Sequence, residues 1–115
     1  MKVSIITVVY NNAKTIEDTI KSVAEQDYTD IEHIVVDGGS SDGTLKIIKK
    51  YRRKLGKVVT EPDEGIYHAM NKGLALATGE VIGFLNSDDL YADSSVVKQI
   101  VNAFQDGTAD ACYLH

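Results

Sequence analysis

Asp88 and Asp89 stand side by side where an apolar run, Val81-Ile82-Gly83-Phe84-Leu85, gives way to Asn86 and Ser87. Two adjacent carboxylates repel, and partial burial penalises both. A hard divalent cation, Mg²⁺ or Mn²⁺, relieves that repulsion because such ions favour oxygen ligands. Two other loops place carboxylates after apolar runs: Asp37 with Asp42, and Asp63. Tyr10 and Asn11 follow the first such run. In an open parallel sheet, loops of this kind gather outside the carboxyl ends of the strands, where ligands bind. An aromatic ring, carboxylates that accept from a base N–H or a ribose hydroxyl, and an acidic pair for a metal suit a nucleotide diphosphate. A solvated acidic turn with Asp as helix cap would use the same letters at 88 and 89, so the pair gains meaning only from its company.

The elements that must hold these loops alternate along the chain. Lys2 to Tyr10 predicts a strand covered on both faces, because its apolar run is nearly continuous. Ile16, Ile20, Val23 and Ala24 predict a helix over 13–26. Ile31 to Val36 is the second strand, followed by the small-residue loop Asp37 to Thr44. A helix capped by Ser41 or Asp42 runs to Lys54, with Leu45, Ile48 and Tyr51 inward. Lys57 to Thr60 is a short third strand, and the only proline, Pro62, lies in the loop after it. Ile66, Ala69, Met70, Gly73, Leu74 and Ala77 make a helical stripe over 66–77, with His68, Asn71 and Lys72 on the other face. Gly73 on the stripe predicts a close backbone approach. Gly79 ends that helix, Glu80 to Leu85 is the fourth strand, and a fourth helix capped by Asp93 or Ser94 runs to Phe104. Gly107 is a stop, and Ala109 to Leu114 begins a fifth strand. Strand and helix in this alternation predict an α/β fold with a mostly parallel, Rossmann-like sheet flanked by helices.

Composition narrows the partners. The chain has 115 residues, 43% hydrophobic and 25% charged, as expected for one globular domain. A net charge of −5 argues against nucleic acid. An anionic ligand then needs local help from a cation, a lysine or a helix N-terminus. The single cysteine, Cys112, forms no internal disulfide and fits a reducing compartment. No apolar run reaches the roughly 20 residues of a membrane span, and Val3 to Tyr10 lacks the marks of a signal peptide. A cytoplasmic location, peripheral to the inner face of the membrane, is the expectation. Neither a Walker loop nor a G-x-G-x-x-G after the first strand is present, which argues against P-loop and dinucleotide enzymes.

Four blocks carry a family resemblance. Ser4-Ile5-Ile6-Thr7-Val8-Val9-Tyr10-Asn11 resembles the opening of glycosyltransferase family 2. Val35 to Thr44 is similar to its second-strand loop, and Glu61 to Gly73 to its third block. Phe84-Leu85-Asn86-Ser87-Asp88-Asp89 resembles its D-x-D-type block. The resemblance implies a GT-A fold and an inverting transferase that takes a nucleotide-diphosphate sugar, with a uridine base, to a glycan or polysaccharide acceptor. It implies Thr7, Val9 and Tyr10 at the base with Asn11 close by, and Asp37 on the uracil N–H with Ser40 and Asp42 near it. Asp63 would reach the base or ribose, Asn71 and Lys72 would face the donor, and Asn86 and Ser87 would border the ribose. Asp88 and then Asp89 would ligate the metal.

Three features qualify that picture. Asn86 stands where the family often has Asp, which removes a charge from the metal block. His68 stands where Asp is common, and a helical surface histidine suits it. No residue offers itself as the general base that inversion requires, so the resemblance implies that residues 1–115 supply the donor and metal site and that base and acceptor segments lie beyond them. A sheet edge or apolar face left open at that end would drive dimerisation. Two other functions share the same letters. One is a metal-dependent nucleotidyltransferase, which wants a basic residue in the loop Tyr10-Asn11-Asn12. The other is a non-catalytic nucleotide-binding module.

Overall fold

The computed structural model describes residues 1–106. Strands and helices alternate along them as β1 (Val3–Val9), α1 (Ile16–Ala24), β2 (Ile31–Asp37), α2 (Thr44–Lys50), β3 (Lys57–Thr60), α3 (Ile66–Leu76), β4 (Val81–Phe84) and α4 (Val96–Gln105). A single 3-10 turn, Arg52–Lys54, follows α2. The strands form one parallel sheet in the order β3-β2-β1-β4. The α/β class with a parallel sheet between helices is the one the alternation predicts. The fifth strand expected at Ala109 lies outside the described residues.

Right-handed crossovers fix where the helices go. The chain steps from β1 to β2 to β3 in one direction, then returns past β1 to β4, so α3 lies on the sheet face opposite α1 and α2. The apolar clusters follow that division. Val9, Ile16, Ile20, Val35, Ile48 and Leu55 pack under α1 and α2. Val3, Ile5, Val23, Leu85, Val97 and Val101 continue the layer toward α4. Ile6, Ile34, Val36 and Ala69 form the opposite layer under α3. Alternation along β1 sends odd-numbered side chains to the first face and even-numbered ones to the second. Each buried isoleucine among them contributes roughly 1.5–3 kcal/mol.

The two polar residues that interrupt β1 are both fully buried. Ser4 pairs with Glu32 across the strands and donates to its carboxylate at 2.9 Å. Glu32 also accepts the Thr78 N–H at 3.1 Å and lies 3.2 Å from Lys57 Nζ. On the other face, Thr7 Oγ1 sits 2.8 Å from His33 Nε2. These pairs lie inside the sheet layers, where a polar atom without a partner is costly.

Several boundaries differ from the sequence pattern for identifiable reasons. Residues 13–15 form a turn that leads into α1, with Asn12 O receiving the N–H groups of both Thr15 and Ile16. The stripe on α3 is narrower than predicted: Ala69 and Gly73 are buried, but Ile66 is 54% and Leu74 41% exposed. Among the described residues α3 has no helix beside it on that face, so only the line touching the sheet is covered. Gly79 does not end α3, which closes at Ala77; a Cβ on Gly79 would meet Ser4 N at 2.7 Å, so it lets the chain cross β1 closely. Gly43, which has no side chain, and Ser95, whose hydroxyl makes no cap bond, occupy the cap positions of α2 and α4. Asp42 and Asp93 instead accept N–H groups two residues on, from Thr44 and Ser95.

Candidate active site at the carboxyl edge of the sheet

All four strands point their carboxyl ends the same way, so the loops after β1, β2, β3 and β4 share one edge. A cavity of about 570 Å³ opens there, walled by Val8, Val9, Tyr10, Gly38, Pro62, Asp63 and the start of α3. That volume lies within the range of small-molecule sites. Tyr10 is 64% exposed and presents its ring at the rim. A Cβ on Gly38 would come within 3.1 Å of Asp63 Oδ2 and 3.4 Å of the Tyr10 ring, so the absent side chain leaves the space between them open. Gly65 starts α3 with φ 126°, a conformation that suits only glycine, and its N–H turns back to Asp63 Oδ1 at 3.3 Å.

The loops after β1 and β2 are stitched to each other. Asn11, with φ 48°, accepts the Ser41 N–H on its side-chain oxygen at 2.7 Å. Its own N–H goes to Ser40 Oγ at 2.8 Å. Asp42 accepts Ala13 N–H at 3.1 Å and Thr44 Oγ1–H at 2.6 Å, and the Thr44 hydroxyl and N–H hold its carboxyl below the usual range. Asn11, Ser40 and Asp42 therefore shape the edge, and none of them lines the cavity.

The residues that the resemblance assigns to the base end lie in different settings. Thr7 is fully buried, its hydroxyl is engaged by His33, and it is not among the residues that wall the cavity. Asp37 is also fully buried; it accepts the N–H groups of Gly39 and Ser40, each at 3.0 Å, and the Ser40 hydroxyl. Val9 is among the residues that wall the cavity, and its side chain also packs with Ile16 and Ile20 in the core. Val8 and Pro62 were missed as wall residues. Strand alternation offered the signal for Val8: it shares a face with Tyr10.

The loop after β4 lies against the loop after β1. Asn12 Nδ2 donates to Ser87 Oγ at 2.9 Å, and Thr19 Oγ1 contacts the carbonyls of Ser87 and Asp89 at 2.9 and 2.8 Å. Ser87 is thus bound to protein, while Asn86 and Asp88 are exposed and Asp89 is half-buried. This is where the strand order reverses around β1, the switch point at which α/β sheets bind ligands. Among the described residues no group of three or more His, Cys, Asp or Glu side chains could hold a metal ion. Two neighbouring carboxylates suit instead an ion such as Mg²⁺, which takes one or two carboxylates and completes its shell with phosphate and water.

On α3, Asn71 is exposed. Lys72 turns to the loop after β3: its ammonium lies 3.1 Å from both the Pro62 carbonyl and Glu61 Oε1. His68 accepts the Glu64 N–H on Nδ1 at 2.9 Å, a local role consistent with a surface position.

The comparisons agree with this architecture. The model of the family described as Glycosyl transferase family 2 matches residues 4–115. An uncharacterised glycosyltransferase of Mycobacterium tuberculosis is 41% identical over 102 residues, 88% of this chain and 39% of that protein. TuaG of Bacillus subtilis, provisionally assigned to teichuronic acid biosynthesis, is 39% identical over 85% of this chain and 40% of its own length. The chain thus spans about two fifths of the curated relatives it matches. The structure of S. aureus TarS 1–349 in complex with UDP-GlcNAc superposes with TM-score 0.85 at 33% identity, over 96% of this chain and 33% of that one. The mannosyltransferase PcManGT from Pyrobaculum calidifontis, in complex with GDP-Man and Mn2+, gives TM-score 0.81 at 32% identity, over 87% and 31%. The chain belongs to glycosyl transferase family 2.

Proposed function

We propose that residues 1–115 form the donor- and metal-binding part of an inverting glycosyltransferase. The donor is a nucleotide-diphosphate sugar, with UDP-sugar the first choice, and the acceptor a glycan or polysaccharide. The observation that carries this reading is the cavity between Tyr10 and Asp63 on the same sheet edge as exposed Asp88. A base would stack on the Tyr10 ring, with the Asp63 carboxylate accepting from its N–H or from the ribose. The diphosphate would then extend toward the loop after β4. Asp88, with Asp89 beside it, would hold Mg²⁺ or Mn²⁺ there, and the ion would stabilise the departing diphosphate.

The general base and the acceptor site belong, in this proposal, to the further length that such relatives have. A UDP-GlcNAc complex in one structural neighbour and a GDP-Man and Mn2+ complex in another support the ligand class. Among the described residues no helix is long and apolar enough to cross a membrane. We place the protein in the cytoplasm, peripheral to the inner face of the membrane. Calorimetric titration of UDP with Mn²⁺, repeated with chelator, tests the reading. Metal-dependent binding is expected; absence of binding to the folded chain and to a full-length protein carrying it would overturn it.

A further inference from the structure

The wall of the cavity after β3 is five residues long and has one end on β2 and the other on α3. Glu61 N–H is held by the Asp37 carbonyl at 3.1 Å. Glu64 N–H is held by His68 at 2.9 Å. Between these anchors stand Pro62 and Asp63, both wall residues of the cavity. The tie on that middle part from α3 is Lys72, whose ammonium donates to the Pro62 carbonyl and pairs with Glu61 at 3.1 Å each. Lys72 is only 15% exposed, although the sequence pattern puts it on the outer side of its helix. An ammonium has three N–H groups and no acceptor. Two of them have partners in the loop, and turning the ammonium toward a diphosphate would break both contacts together.

We propose that Lys72, assisted by Glu61, is a positioning residue for the base end of the cavity: it fixes the Pro62-Asp63 wall and does not contact the phosphates. The inference rests on the donor-site reading and assigns a role within it. Fixing the wall sets the gap between Asp63 and the Tyr10 ring, which Gly38 leaves open. A phosphate ligand and a wall anchor differ in one respect. The first matters only to ligands with phosphate, whereas the second matters equally to a bare nucleoside.

Amide-resolved NMR titrations of uridine and of UDP with Mg²⁺ distinguish them. Lys72→Met is expected to weaken both ligands by the same factor, roughly 5- to 30-fold, as for loss of one or two polar contacts. Glu61→Gln should weaken both by less, and Lys72→Arg, which keeps a cation in reach of the Pro62 carbonyl, should recover much of the loss. Weakened UDP with unchanged uridine would make Lys72 a phosphate ligand and overturn the proposal, as would no change in either. Hydrogen exchange in the ligand-free chain supplies an independent reading. The Asp63, Glu64 and Gly65 amides should exchange faster in Lys72→Met while the sheet amides do not, and unchanged loop exchange would overturn the wall anchor. If neither the wild-type chain nor a full-length protein carrying it binds either ligand but the loop exchange responds, the donor reading fails and the anchor stands.

Discussion

Ser40 stands between Asn11 and Asp37, accepting the Asn11 N–H at 2.8 Å on the oxygen whose hydrogen it donates to the buried Asp37 carboxylate. One relay thus couples the loop after β1 to the end of β2. Asp37→Ala would leave the Gly39 and Ser40 N–H groups and the Ser40 hydroxyl without their acceptor. Hydrogen bonds to charged groups are worth more than neutral ones, and buried orphans are costly, so a loss of about 3 kcal/mol is expected. Ser40→Ala removes only the relay and should cost about 1 kcal/mol. Urea midpoints at constant slope read both. A variant at Asp37 with unaltered stability and abolished nucleotide binding would show that Asp37 faces the ligand.

Gly73 passes so near β1 that a Cβ there would lie 2.4 Å from Ile6 Cγ2. Ile6 is 1% exposed and lies in the core under α3, so a shift there disturbs its neighbours. Helix propensity alone would favour alanine by about 1 kcal/mol. Overpacking in a close-packed core costs about 1–3 kcal/mol, and the steric term should prevail. Gly73→Ala is expected to lower the melting temperature. Combining it with Ile6→Ala should cost less than the sum of the two, because the second change removes the clashing methyl. Strict additivity would mean that the contact is relieved some other way.

The burial of β1 on both faces, and the helical spacing of Ile16, Ile20 and Val23, were legible in the sequence because a nearly continuous apolar run and a helical period both record burial. The close approach at Gly73 was legible because a glycine on an apolar stripe has few other uses. Partners across the chain were not. Ser4 reads as an interruption of a strand until the register places Glu32 opposite it, and Thr7 until His33 is found 26 residues away. The same limit explains the site. Asp37, Asp63 and Asp88 look alike as carboxylates after strands, but only the fold shows that Asp37 is enclosed by its own loop, Asp63 walls the cavity and Asp88 is exposed.

That difference separates Asp88 from Asp37 in experiment. Asp88 lies in the exposed part of the loop after β4, so Asp88→Asn should change stability by less than about 0.5 kcal/mol. It should nevertheless abolish the part of UDP binding that depends on Mn²⁺, leaving uridine binding intact. Chelator should have the same effect on the wild-type chain and none on the variant. Asp89→Asn is expected to be weaker in effect, since Asp89 is half-buried and its carbonyl is fixed by Thr19. Full metal dependence surviving in Asp88→Asn would move the ion elsewhere.

His33 and Glu32, adjacent on β2, should divide acid unfolding into two steps. Burial pushes His33 down to about 4 from its ordinary 6.5. Below pH 6.5 the unfolded chain takes a proton that the folded chain refuses, so stability falls as pH drops from 6.5 toward 4. The slope is at most about 1.4 kcal/mol per pH unit, and the whole step about 3 kcal/mol. For Glu32, burial alone would raise the carboxyl, but the Thr78 N–H, the Ser4 hydroxyl and Lys57 together bring it down to about 2. Its contribution is present above pH 4.5 and is lost as pH falls toward 2. Urea midpoints measured between pH 7 and pH 2 should therefore descend twice. His33→Asn should flatten the upper descent and spare the lower, and Glu32→Gln should do the reverse. An upper descent that persists in His33→Asn would show that another group takes up the proton.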